Sequence, residues 1–246
     1  MALRARPCPA RAGAKAPSGY ARANRRSPAL CQVARRLSTR DRQGPEGGTP
    51  PGYNTVDAVL WYFEAVWRYY CASSDRPLIR ELFPTLVDII HWHQTGTRYN
   101  IHLDADGLIY AGAEGHQLTW MDAKIGDWVV TPRIGKPIEI SALWYNALLI
   151  TAQLANLLGE PETPYLEMAA HTRQGFQRFW SASHGYCYDV LDGPTGSDAS
   201  LRSNQILAIA LPAPVLGAAA LGTSPNAGCT APALLLPEQR QAVVDR

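Results

Sequence analysis

The stretch "TWMDAKIGDWVVTPRIGKPIEISALWYNALLI", Thr119–Ile150, changes texture halfway. Its first half sets Gly126 and Gly135 among bulky side chains and crowds Asp122, Lys124, Asp127, Arg133 and Lys136 together. From Ile138 the apolar residues recur at helical spacing and continue to Leu158, where Gly159 supplies a C-terminal stop. A non-helical segment therefore feeds a helix, and that segment places a carboxylate, Asp122, two residues after Trp120. Upstream, "NIHLDADGLIYAGAEGHQLTWMDAKIGDWVVTPRIGKP" is glycine-rich. "DADG" reads as a turn, and Leu108 and Tyr110 alternate as in a short strand. A loop this long in a compact domain is usually functional or disordered, and its aromatic and aliphatic content favours function.

Helices flank this segment on both sides. Val56, Leu60, Phe63, Trp67 and Tyr70 fall at three- and four-residue steps, with Asn54 as N-cap and Asp57 three residues on. A second helix starts at Pro77 after Asp75, with Leu78, Leu82, Leu86, Ile89 and His93 or Trp92 on one face. After Leu158 the spacing predicts a helix over 161–181. "HGYCYDVL" reads as a strand, and "SDASLRSNQILAIALP" as a helix capped by Ser197 or Asp198 and stopped before Pro212. "APVLGAAALGTSPNAGCTAPAL" is aperiodic and reads as a floppy loop, and a last helix is expected from Pro237 to Asp245. Six helices in antiparallel hairpins, without βαβ alternation, predict an all-α architecture with a loop and short-strand insertion. No terminal element closes it, so a piece of something larger is expected.

Composition narrows the partners. The first 50 residues hold 11 of the 23 Lys/Arg and 2 of the 21 Asp/Glu, leaving 12 basic and 19 acidic residues in the remainder. The remainder is thus mildly acidic and offers no basic surface for nucleic acid. No apolar run approaches about 18 residues, so no membrane span is expected. The five cysteines are scattered and never paired as C-x-x-C, which fits a reducing, cytoplasmic setting and predicts neither zinc site nor disulfide framework. Two units are expected: a basic low-complexity head over 1–52 and a folded unit over 53–246. The head has three readings: a disordered tail, an organelle transit peptide, or a mis-translated start in GC-rich DNA.

Asp122 is the first chemical candidate. Beside Trp120 in a partly dry pocket, its carboxyl would stay protonated and could donate its proton to a leaving oxygen, as in sugar-cleaving enzymes. The plain alternative is a surface Asp paired with Lys124. Asp57 either favours its helix N-terminus or binds sugar hydroxyls. Arg202, Asn204 and Gln205 either face solvent or line a polar pocket. His91 and His93 lie on different helix faces, Asp104 and Asp106 belong to a turn, and no metal or other cofactor is expected.

Three blocks, "YNTVDAVLWYFEAV", "LIYAGAEGHQLTWMDAKIGDWVVTPRIGKPIEISALWYNALLI" and "DASLRSNQILAIALP", resemble in order the C-terminal, amylo-α-1,6-glucosidase region of bacterial-type glycogen debranching enzymes. The resemblance runs from about Tyr53 to Leu211. It implies an α/α toroid of six helical hairpins, of the glucoamylase-like type and about half present here. It implies inverting hydrolysis of α-1,6-linked glucose in glycogen or another branched α-glucan such as limit dextrin. Within it the "TWMD" aspartate, Asp122, is the general acid, and Asp57, Trp61 and Trp120 border the glucose. Arg202 and Gln205 support the same pocket, although Ser203 replaces the usual proline. The base is expected past the end of the chain, so a truncated, inactive piece is one outcome. The alternatives are another toroid glycosidase, glucoamylase- or trehalase-like, and a glucan-binding fragment without turnover. A helical interaction scaffold fits less well, because it has no need of loops rich in aromatics and carboxylates.

Overall fold

The computed structural model describes residues 55–126 and 128–216. The head, the Asn54 cap, the floppy loop beyond residue 216 and the helix expected from Pro237 lie outside them. Helix α1, Asp57–Ser73, buries Leu60, Phe63 and Val66, and Trp67 and Tyr70 are half-buried at its far end. Thr55 Oγ1 accepts from the Ala58 N–H at 3.2 Å and donates to the Asp57 carboxylate, so Thr55 ties down the first turn. Helix α2, Arg76–Thr95, starts as its sequence dictates: the Asp75 side chain accepts from Leu78 N at 3.1 Å, and Pro77 sits in the first turn.

Helix α3, Ile138–Leu158, is the centre of the fold. Every residue from Ile138 to Ala152 is buried, as are Leu154 and Ala155. It packs against α1, α2, helix α4 (Thr163–Phe176) and the short helix α5 (Leu207–Ala210). By length and composition α3 could cross a membrane, although no unbroken apolar run suggests it; 94% of its most apolar window is buried inside the protein. Its apolar character is therefore that of a core helix, walled on all sides.

The expectation of an all-α toroid is corrected. Among the described residues nine short strands form four small antiparallel sheets. Strands β1 (His102–Leu103) and β2 (Ile109–Tyr110) pair around the "DADG" turn, and β3 (Lys124–Ile125) pairs with β4 (Trp128–Val129). Strand β5 (Lys136–Pro137) leads into α3 and pairs with β8 (Val190–Gly193), which also pairs with β9 (Gly196–Asp198). Strands β6 (Trp180–Ser181) and β7 (Tyr186–Cys187) make the fourth sheet. The longest strand has four residues, so apolar alternation marks few of these strands in the sequence.

Two helix boundaries change for the same reason. The helix expected to 181 ends at Phe176 and passes through a 3-10 turn, Gln177–Phe179, into β6. The helix expected from Ser197 begins as β9. Asp198, read as its cap, bonds Ser200 N at 2.9 Å and accepts from Asp189 N–H through its carbonyl at 2.8 Å. Helical turns start only at Ser203 as 3-10 and continue as α5.

Candidate functional site

The "TWMD" loop rests on a buried ionic network. Gly135 makes the approach possible: it has φ 132°, and a Cβ there would lie 2.4 Å from the Leu191 carbonyl oxygen. This lets the chain entering β5 run against β8 and carries Arg133 into the interior. Arg133 is buried and bidentate on Glu139, with Nη2 at 2.8 Å from Oε2 and Nη1 on Oε1. It also donates to both oxygens of Asp189, from Nε and Nη2, each at 3.1 Å, and from Nη1 to Thr119 Oγ1 at 3.3 Å. Burial disfavours the Arg133 charge, but Glu139 and Asp189 outweigh it and hold the guanidinium above its usual value. Burial likewise pushes the Glu139 carboxyl up, and the Arg133 contacts pull it back.

From Asp189 the network reaches the surface. Asn204 Nδ2 donates to Asp189 Oδ1 at 2.7 Å, and Asn204 Oδ1 accepts from the Trp120 indole N–H at 3.0 Å. Arg202 Nε lies 3.1 Å from Asp189 Oδ2, an ion pair whose N–H points off the hydrogen-bond line. Arg202 also reaches Asp198 at 3.4 Å. Although partly buried, Asp198 is held below the usual carboxylate range by its bonds to Ser200 and by Arg202.

The six residues expected at a site divide accordingly. Trp120 and Arg202 join the buried network directly. Gln205 sits beside it: its Oε1 accepts from Cys187 N at 3.3 Å and its Nε2 donates to the Arg202 carbonyl at 3.2 Å. Asp57 and Trp61 enter from α1, and the bond from Val56 N–H to the Leu118 carbonyl at 2.8 Å puts the start of α1 beside the "TWMD" loop. Asp122 is exposed, as are Trp120 at 57% and Trp61 at 40%. The dry pocket expected around Asp122 is not formed by the described residues. A small pocket beneath the loop is lined by Gln117, Thr119, Met121 and Arg133, not by Asp122. The Lys124 amino group reaches the Gly115 carbonyl at 3.4 Å.

Sequence reasoning missed Glu139 and Asp189 altogether. The one signal at Asp189 is a lone acid inside the apolar run "YCYDVL", where a buried charge requires a partner. A second ionic knot lies apart from the loop. The buried Lys136 amino group meets Asp104, Asp106 and Asp192 at 2.8–2.9 Å, and Arg178 contacts the last two. The "DADG" carboxylates are thus occupied by cations of the protein itself. Among the described residues no group of His, Cys, Asp and Glu is placed to hold a metal ion. Burial pushes the Cys187 thiol up to about 11, which excludes it as a thiolate nucleophile near neutral pH.

Exposed aromatic rings and a carboxylate on a loop, pinned from below by a rigid polar network, are a construction suited to carbohydrate. Residues 43–221 match the family described as amylo-alpha-1,6-glucosidase, and the chain belongs to that family. Its class is therefore the glycogen debranching-type glycosidases. No curated protein matches the sequence. Among solved structures the chain is similar to a GH78 family rhamnosidase of Bacillus sp. GL1, with a TM-score of 0.55 and 13% identity. The match covers 69% of this chain and 17% of that one. At that identity the likeness concerns the fold alone, and it too sets the chain apart from a clean all-α toroid.

Proposed function

We propose that this chain contributes the acid side of a site that hydrolyses α-1,6-linked glucose in a branched α-glucan, with inversion. Family membership supports the substrate class. The observation that supports the reading is the Val56 N–H to Leu118 carbonyl bond, which ties the start of α1 to the segment leading into the "TWMD" loop. Asp122 is the proton donor to the glycosidic oxygen. Trp120 and Trp61 offer ring faces to the sugar, and Asp57 accepts from its hydroxyls. Arg202 and Gln205 hold the floor through Asp189 and Cys187. An inverting reaction also requires a second carboxylate on the far side of the ring to activate water, and it is expected from outside residues 55–216.

A second reading, glucan binding without turnover, is supported by the exposure of Asp122 and of both tryptophans. One experiment separates the two. Glucose release from branched limit dextrin is measured for the purified chain and for Asp122→Asn, alongside dextrin binding. Glucose from the wild type alone supports the acid role. Equal glucose from both removes Asp122 from the chemistry. Binding by both without glucose from either favours the second reading.

A further inference from the structure

We infer that Asn204 is a positioning residue that sets the orientation of the Trp120 indole as a sugar-stacking face. The inference rests on the glucan reading of Trp120 given above. Two neighbours fix which way the Asn204 amide faces. The Asp189 carboxylate, held by two guanidinium nitrogens of Arg133, only accepts, so the Asn204 atom 2.7 Å from it is the NH2 group. The Trp120 indole nitrogen only donates, so the Asn204 atom 3.0 Å from it is the carbonyl oxygen. Both partners demand the same orientation, and a flipped amide would lose both bonds. Asn204 is itself buried, with 3% of its surface accessible.

Trp120 is 57% exposed, so packing constrains it less than it constrains a core residue, and the hydrogen bond grips the polar edge of its ring. An edge-held indole keeps its faces open, which is what stacking against the C–H face of a pyranose needs. The Asn204 amide also lies 3.4 Å from Met121 Sδ. One buried side chain therefore touches the two residues that precede Asp122, and it transmits to them the rigidity of the Arg133–Asp189 core.

The test uses the purified chain and branched limit dextrin as probe, with dextrin affinity measured by titration calorimetry. The Trp120 indole proton is identified in a 15N spectrum by its loss in Trp120→Phe. In Asn204→Leu that proton should exchange with solvent several-fold faster. Dextrin binding should weaken about fivefold, the size expected when a neutral, orientation-setting hydrogen bond is lost. Trp120→Phe keeps a ring at an exposed position but leaves the Asn204 carbonyl oxygen without its donor, so circular dichroism checks that each variant is folded. In that background Asn204→Leu should weaken binding no further, because the two changes remove one interaction. Unchanged exchange and affinity in Asn204→Leu, or full additivity in the double variant, overturns the inference while leaving Trp120 as a glucan contact. If Trp120→Ala binds dextrin like the wild type, or if the wild type does not bind at all, the glucan reading of Trp120 falls and takes the inference with it.

Discussion

Replacing Arg133 by leucine should be among the most damaging single changes available to this chain. The guanidinium supplies both side-chain hydrogen bonds to Glu139 and two to the carboxylate of Asp189, and both acids are at most 2% exposed. The two acids fare differently once it is gone. Asp189 keeps Asn204 at 2.7 Å and the Arg202 ion pair at 3.1 Å. Glu139 keeps no cationic partner among the described residues and must protonate or remain as an uncompensated charge in the first turn of the central helix. Breaking a buried pair in this way costs about 3–5 kcal/mol, against a total stability of roughly 5–15 kcal/mol for a domain. Urea unfolding followed by circular dichroism at pH 7 measures the loss. The double variant Arg133→Leu/Glu139→Leu removes both charges and should recover more than half of it, because a matched apolar pair avoids the orphaned carboxylate. A single variant that loses less than about 1 kcal/mol, or a double variant worse than the single, would falsify the reasoning.

Two further expectations concern the core. His93 is buried, with Nδ1 donating to the Ile89 carbonyl at 2.8 Å and its ring stacked on Trp144 at a centroid separation of 5.3 Å. Burial holds its pKa down, so the unfolded chain binds a proton that the folded one refuses. Stability contributed by neutral His93 is complete above about pH 6.5 and is lost as pH falls toward the lower folded pKa, by up to about 1.4 kcal/mol per pH unit. Urea midpoints at pH 7.5 and 5.5 test this, and His93→Phe should flatten the difference; an equal slope in that variant refutes it. Gly175→Ala in α4 should destabilise by about 1–3 kcal/mol, although the same change in an open helix stabilises. A Cβ there would lie 2.0 Å from the Asp106 carbonyl oxygen, and a thermal midpoint at or above that of the wild type would refute the clash.

The four long helices were readable in the sequence because each carries its own local evidence. In α1 Leu60, Phe63, Trp67 and Tyr70 repeat at helical steps, α2 announces itself through Asp75 and Pro77, and α3 ends at Gly159, which caps it in the left-handed conformation. The strands were illegible beyond "HGYCYDVL" and the 108–110 segment, since a two-residue strand has no period. Asp198 shows the limit: an Asp ahead of an apolar run looks like a cap, and only its pairing with β8 makes it a strand residue. At the site, the motif around Trp120 and Asp122 was legible as chemistry. The support beneath it was not, because Arg133 and Asp189 stand 56 residues apart and nothing local to either one names the other. The exposure of Asp122 was equally beyond reach, since burial is decided by which elements close over a loop.

Helix α3 also sets an order of events during synthesis. Its walls come from both directions along the chain: α1 and α2 precede it, while α4 and α5 follow. When α3 leaves the ribosome, half of its surroundings have been made and the other half have not. Its uncovered flank then waits for Ala169, Phe176, Ala208 and later Ala213, whose backbone exchanges two hydrogen bonds with Asn146 of α3, and until then it is an apolar surface open to chaperones, to proteases and to other nascent chains. Folding of this unit is therefore completed from its C-terminal side. Nascent chains arrested just before and just after α5 has emerged should differ sharply in their resistance to protease.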